Sequence, residues 1–483
     1  MLFNSIDFLI FFPIVVLVYL IIPKKIRYIW LLASSYYFYM CWNPKYVLLI
    51  GFSTLVTWGC SLIISHIRTD SGRKLCLALN CIANLGILFL FKYANFAITN
   101  LNMLLSSLGL TMTIRKLDLL LPVGISFYTL QTLSYTFDVY RKKIAPEKNL
   151  LKYALYVSFF PQHVAGPNER STRLLPQIQN VEHLELWDYE RIRNGLFLML
   201  WGYFQKLVIA DRAAMLVDPV INNHLNYGFV EISIAIFLFT FQIYCDFAGY
   251  TNIARGAAKV MGFDLMQNFR QPFLATSIRD LWRRWHISLS SWFTDYLYIP
   301  LGGNRKGELR KYLNIVIVFT VIGLWHGASW NFVAWGLLHA LFQIAESICE
   351  KKRKKTDEKK SLSSSIRRIL FTFVLFCSAS IFFVSSSLTH AFSVIRQMFT
   401  VFQTTDIYEL GLDHGNWAML NMAIVILMAV DIMHEMKISV FDFIEKQELW
   451  FRWAILFALL WITLMFGIYG PDYDTSSFIY FQF

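Results

Sequence analysis

Long apolar runs follow one another through most of this 483-residue chain, and they leave few folds open to it. A helix needs about 20 residues to cross the hydrocarbon of a bilayer. Segments that meet or approach that length occupy 6–22, 28–40, 45–67, 75–98, 119–139, 192–217, 229–250, 366–388, 417–436 and 450–469, and a further apolar run covers 312–348. Backbone in lipid must satisfy its own hydrogen bonds, so runs like these fold as helices. The expected fold is all-α and polytopic, with about 10–12 membrane helices and additional re-entrant or interfacial pieces. The 101–110 run is apolar but too short to cross and reads as one of those pieces. A single membrane domain is expected, with peripheral helices at 1–118, a core over 119–348, a mobile cytoplasmic loop at 351–365 and final helices at 366–483.

Composition excludes the soluble classes. The chain is 56% hydrophobic and only 16% charged, against about 25% charged in soluble domains. Its net charge of +12 does not point to nucleic acid, because the basic residues cluster in short loops beside apolar runs. That pattern obeys the positive-inside rule, and the partner it implies is the lipid bilayer. The seven cysteines form no CxxC pair and lie mostly in apolar segments, so they read as buried thiols rather than disulfides or metal ligands. The N-terminus does not read as a cleavable signal: Asp7 interrupts it, no basic region precedes it, and Pro23-Lys24-Lys25 follows.

Basic loops set the expected orientation. Lys24, Lys25 and Arg27, then Arg68 with Arg73 and Lys74, then Arg141 to Lys143 are each separated by two crossings. All three fit the cytoplasmic side of a cell membrane, which puts the N-terminus outside. The same test applied to 312–348 finds Arg305, Lys306, Arg310 and Lys311 before it and Lys351 to Lys355 after it. The chain must therefore turn back, and the turn is expected near Gly323 to Gly327, at or past mid-membrane, with His326 at the inner end of a funnel.

Two histidines stand out for chemistry. An ionisable side chain at bilayer depth is costly and is usually kept for a function. His326, between Trp325 and Gly327 and close to Trp330 and Asn331, could take a proton from an acceptor hydroxyl; a helix-packing histidine bonded to a carbonyl is the plain alternative. His286 lies in 278–299, where Trp282, Trp285, Leu289, Trp292, Phe293 and Tyr296 recur at helical spacing and Arg279, Arg283, His286 and Ser290 share another face. This reads as one helix lying partly in the interface plane, and a simple interfacial anchor explains it equally well. Arg283 and Arg284, with the basic residues of 305–311, could pair with donor phosphates, although topology accounts for most of them. Asp246 and Tyr250 could orient a histidine or line a tunnel, or merely cap a span. His339 and His163 read as structural. No Walker A loop, dinucleotide fingerprint, zincin motif or nucleophile elbow is present.

Several stretches match a known family. They are Leu121-Pro-Val-Gly-Ile-Ser-Phe-Tyr-Thr-Leu-Gln131, Asp138-Val-Tyr-Arg141, Ser158-Phe-Phe-Pro-Gln-His-Val-Ala-Gly-Pro167 and Leu174-Leu-Pro-Gln177. Cys245-Asp-Phe-Ala-Gly-Tyr250, Trp282-Arg-Arg-Trp-His-Ile-Ser-Leu-Ser290, Tyr298-Ile-Pro-Leu-Gly-Gly-Asn304, Gly323-Leu-Trp-His-Gly-Ala-Ser-Trp330 and Phe478-Ile-Tyr-Phe-Gln-Phe483 continue the match. The chain resembles the membrane-bound O-acyltransferases, and within them the bacterial branch of alginate O-acetylation proteins. The resemblance implies a funnel-shaped helical core with His326 as the essential histidine and His286 as its companion. It implies no bound cofactor, a cytoplasmic thioester donor such as acetyl-CoA, a cell-surface polysaccharide acceptor reached directly or by relay, and an extracytoplasmic partner of the SGNH type. Transfer of D-alanine to teichoic acid from a carrier protein is the alternative within the family. A transporter or proton conduit with a histidine relay, and a scaffold for a secretion complex, are alternatives of other classes.

Overall fold

The computed structural model describes residues 1–483 except 123, 164–165, 353–360, 403 and 470–483. The described residues contain helices and no strand. Eight of their helices are long and apolar enough to cross a membrane, by length and composition. That is fewer than expected. The helices Ile6–Ile21, Arg27–Met40 and Ile125–Tyr140 have 16, 14 and 16 residues, or about 21–24 Å at 1.5 Å per residue, short of a 30 Å hydrocarbon core. The 101–110 run is not re-entrant. Residues 101–107 end a 38-residue helical stretch, Asp70–Ser107, that continues through a π turn at Phe89–Tyr93. The expected loop at 351–365 falls largely outside the described residues, but Leu362–Val384 is already a helix. The Phe478–Phe483 ending also lies outside them.

The chain folds into two compact units. The first comprises residues 1–196 with 254–266, the second 197–253 with 267–483. In the first unit, the helix Ile125–Tyr140 buries 13 of its 16 residues against Val47–His66 and Asp70–Leu88. A polar network ties the three together. Asn80 Nδ2 donates to Thr136 Oγ1 (2.9 Å), Thr57 Oγ1 donates to Asn80 Oδ1 (3.2 Å), and Asn84 Nδ2 donates to Asn80 Oδ1 (3.0 Å). Buried amides need such partners, and in lipid-facing helices they fix rotation and register.

The second unit is built on residues 229–253 of the helix Phe229–Val260, most of whose apolar window is buried (83%), whereas Leu449–Phe466 buries only 6% of its window. Glu308–His326 and Trp330–Lys352 form an antiparallel hairpin whose turn is Gly327–Ser329, not Gly323. Gly323 is helical, and a Cβ there would run into the carbonyl oxygen of Phe332; Gly336 stands in the same relation to Phe319. The two helices therefore meet backbone to backbone. Asn331 Nδ2 secures the end of Leu362–Val384 by donating to the carbonyls of Phe382 (3.2 Å) and Ser385 (2.8 Å).

At the following turn the backbone N–H of Ser386 donates to His390 Nδ1 (3.2 Å), which leaves the His390 proton on Nε2. That nitrogen faces His224 Nδ1 (3.1 Å) and the Ile221 carbonyl (3.2 Å), and His224 Nε2 donates to Ser393 Oγ (2.7 Å). Burial, and then the neighbouring His390, lower the His224 pKa. A proton added at His224 Nδ1 would meet the N–H of His390. The folded state binds that proton less tightly than the unfolded chain, so stability is full above the ordinary imidazole range and declines as pH falls through it. Melting temperature in detergent is expected to drop between pH 7.5 and 5 by more in the wild type than in His224→Gln, a range set by the ordinary imidazole pKa of about 6.5.

The cysteines are free; Cys76 and Cys245 are buried within the protein, and Cys60, Cys81, Cys349 and Cys377 lie in helices long and apolar enough to cross a membrane.

Candidate active site

The segment 278–299 is not one helix. It breaks into Ile278–Arg284 and Ile287–Phe293, followed by a π turn at Thr294–Tyr298. The break is at His286, whose φ of 44° and ψ of 52° are left-handed. A non-glycine residue pays about 1–2 kcal/mol for that conformation. The bend lets Trp282, Trp285, Leu289, Trp292 and Phe293 all point inward. It also turns His286 away from the face of Arg279 and Arg283 and buries it completely.

His286 then meets His326 with ring centroids 6.1 Å apart. His326 ends its helix, 4% exposed, with Trp335 edge-on at 5.1 Å and Phe383 at 5.4 Å. Phe247 lies edge-on to His286 at 4.6 Å. His339, which reads from the sequence as structural, is one ring away from His326: Trp335 touches it at 4.9 Å, and Trp282 Nε1 donates to its Nδ1 (3.3 Å). The walls are aromatic, which excludes water and leaves the imidazoles as the reactive polar groups of the pair's surroundings.

A cavity of about 840 Å³ is lined by Ile287 and Ile322, next to His286 in the chain and one turn before His326, though by neither histidine itself. One helical stripe of its wall is Lys311, Ile315, Val318, Phe319 and Ile322. The next position on that stripe, one turn on, is 326. The mouth carries Arg279, Arg283, Lys311 and Lys351 against Asp295 and Glu350. Arg279 pairs with Glu350 (3.0 Å) and Lys351 with Glu308 (2.8 Å), while Arg283 has no ion pair among the described residues. Among those residues no group of three or more His, Cys, Asp or Glu side chains is placed to hold a metal.

The family profile described as MBOAT, membrane-bound O-acyltransferase family, matches residues 144–388, a range that holds both histidines and the cavity. The chain is 36% identical to a peptidoglycan O-acetyltransferase of Helicobacter pylori, over 77% of this chain and 73% of that one. It is 37% identical to a probable alginate O-acetylase AlgI of Pseudomonas putida, over 72% and 70%. It is 26% identical to a teichoic acid D-alanyltransferase of Streptococcus thermophilus, over 50% and 60%. The chain belongs to the membrane-bound O-acyltransferase family. It is a multi-pass membrane protein and an O-acyltransferase.

Within this acyltransferase the remaining candidates separate. Arg283 lines the cavity, while Arg284 pairs with Asp280 (3.0 Å) and with both oxygens of Glu435 (2.6 and 3.0 Å). Trp325 is buried, its ring 6.4 Å from Phe293. Trp330 is half exposed at the start of its helix, and Asn331 serves the neighbouring helix end. Asp246 and Tyr250 share a charged neighbour. They face Lys206, at 2.6 Å and 5.4 Å respectively, a residue the sequence reading passed over. The available signal was a lysine inside the apolar run 192–217.

Proposed function

We propose that this O-acyltransferase moves an acetyl group from a cytoplasmic thioester, acetyl-CoA, to a hydroxyl of a cell-surface polysaccharide, directly or through an extracytoplasmic partner. The observation that carries the reading is the cavity whose helical stripe runs from Lys311 to one turn short of His326. Its size is within the range of small-molecule sites, about 300–1,000 Å³, and its basic mouth suits the phosphates of a nucleotide-linked donor. In this reading neutral His326 accepts the proton of the incoming hydroxyl as its oxygen attacks the thioester carbonyl. The C–S bond breaks, the ester forms, and the thiolate takes up a proton to leave as the thiol. His286 orients donor or acceptor beside it. The positive-inside pattern supports a cytoplasmic mouth, a cytoplasmic-membrane location and an extracytoplasmic N-terminus.

The relatives favour acetyl over D-alanyl transfer. The acetyltransferases match at 36–37% over more than 70% of the chain, the D-alanyltransferase at 26% over half of it. The test is purified protein in lipid vesicles with labelled acetyl-CoA outside the cavity mouth. Thiol release and acetyl transfer to a polysaccharide acceptor are expected. Turnover with an aminoacylated carrier protein and none with acetyl-CoA would replace the donor assignment. Arg283→Glu is expected to raise KM for acetyl-CoA about tenfold, the worth of one charge-assisted contact, with kcat little changed.

A further inference from the structure

The helix Tyr189–Tyr203 passes through a π turn, Phe204–Ala210, into Asp211–Asn222. π turns inside helices recur at functional positions. Here the wider turn brings residues five apart to one side, so Lys206 Nζ lies 2.8 Å from Asp211 Oδ1. The same nitrogen lies 2.6 Å from Asp246 Oδ1 and 5.4 Å from the Tyr250 ring, and all four residues are buried. Gly249, between Asp246 and Tyr250, packs so closely that a Cβ there would meet the Gly202 carbonyl and the Lys206 backbone nitrogen. Asn252 Nδ2 adds a bond to Gln205 Oε1 (2.7 Å). One face of the helix Phe229–Val260 is thus fastened at 246, 249 and 250.

The adjacent face, at 247 and 251, meets His286. Phe247 supplies the ring edge against the imidazole (interplanar angle 88°). Thr251 Oγ1 accepts from Asn268 Nδ2 (3.4 Å). Asn268 in turn accepts the N–H groups of Ile287 (2.9 Å) and Ser288 (3.3 Å), the two residues after the left-handed His286. A buried ion cluster is weak evidence of stability, since an apolar replacement of like volume often serves as well. Its better-attested use is to impose one arrangement where close-packed small residues alone would permit several.

We propose that Lys206 is a positioning residue for acyl transfer. Gripped by Asp211 and Asp246, it sets the rotation of Phe229–Val260 and, through Phe247 and Thr251, the place of the His286 imidazole beside His326. The proposal rests on the reading of the two-histidine pair as the transfer site.

The full-length protein in vesicles, with Lys206→Met, Lys206→Arg and the exchanged pair Lys206→Asp/Asp246→Lys, tests it. Three quantities are read: kcat and KM with acetyl-CoA, the folded fraction, and the rate of diethyl pyrocarbonate modification of His286 by peptide mass spectrometry. Folded Lys206→Met is expected to lose about 100-fold in kcat, the effect of an ångström-scale misplacement, with KM within about twofold. His286, sealed in the wild type, is expected to be modified at least about fivefold faster once the cluster no longer holds its helix, and the exchanged pair to regain most of the kcat. Should Lys206→Met fail to fold, Lys206→Arg keeps the charge but cannot seat a planar fork between both carboxylates, and is expected to lose about tenfold with the same change in labelling. Wild-type kcat in a folded Lys206 variant, or lost kcat with unchanged labelling of His286, overturns the proposal. Faster labelling in Lys206→Met alongside full activity in His286→Ala upholds the positioning and removes His286 from the reaction.

Discussion

His326→Ala is expected to lower acetyl transfer by about 10²–10⁴, the usual contribution of a placed general base. The imidazole ends the helix Glu308–His326 between Trp335 and Phe383, with His286 as the neighbouring imidazole at 6.1 Å. Water cannot readily take over its task in such a cage. The loss should fall on kcat, because the basic mouth that would hold the donor lies four helical turns away at Lys311 and is untouched. Purified variant and wild type, matched for folded protein, are compared for thiol release from labelled acetyl-CoA. Equal kcat would remove His326 as the base. Proton flux without thiol release, abolished by the same substitution, would instead favour a conduit.

Gly336→Leu is expected to cost about 3 kcal/mol or more, at the upper end of overpacking effects, and to leave little folded protein. The obstacle is the Phe319 carbonyl oxygen, which belongs to helical backbone and cannot swing aside as a side chain would. Gly323 meets Phe332 in the same way, so Gly323→Leu should behave alike. A lower melting temperature and early loss of the monodisperse peak in detergent would show it. Retention of wild-type stability would mean that the hairpin can open by about the width of a methyl group, contrary to the packing described.

The apolar runs made the fold class legible, because bilayer-length hydrophobicity admits few structures. Both histidines were legible too, as ionisable groups in membrane-grade sequence. The break at His286 was not. Periodicity through 278–299 fits one helix, and only the tertiary demand to bury Trp282, Trp285 and Trp292 together reveals the bend. Arg284 looked equivalent to Arg283 because its partner Glu435 is 151 residues away. His339 read as structural because it lies thirteen residues beyond His326, across the Gly327–Ser329 turn, yet Trp335 bridges them. Lys206 escaped because a single charge inside a long apolar run gives no hint of Asp211 and Asp246 until the π turn and the Gly202–Gly249 contact are seen.

The left-handed backbone at His286 sets two kinds of selection against each other. Glycine would relieve the torsional cost there, so a search for heat-resistant variants should enrich His286→Gly only together with a second change that fills the space the buried imidazole leaves against Phe247. A search for turnover should reject it, since the imidazole facing His326 goes with the strain. Engineers seeking a sturdier enzyme should leave this position alone and look for gains elsewhere in the chain.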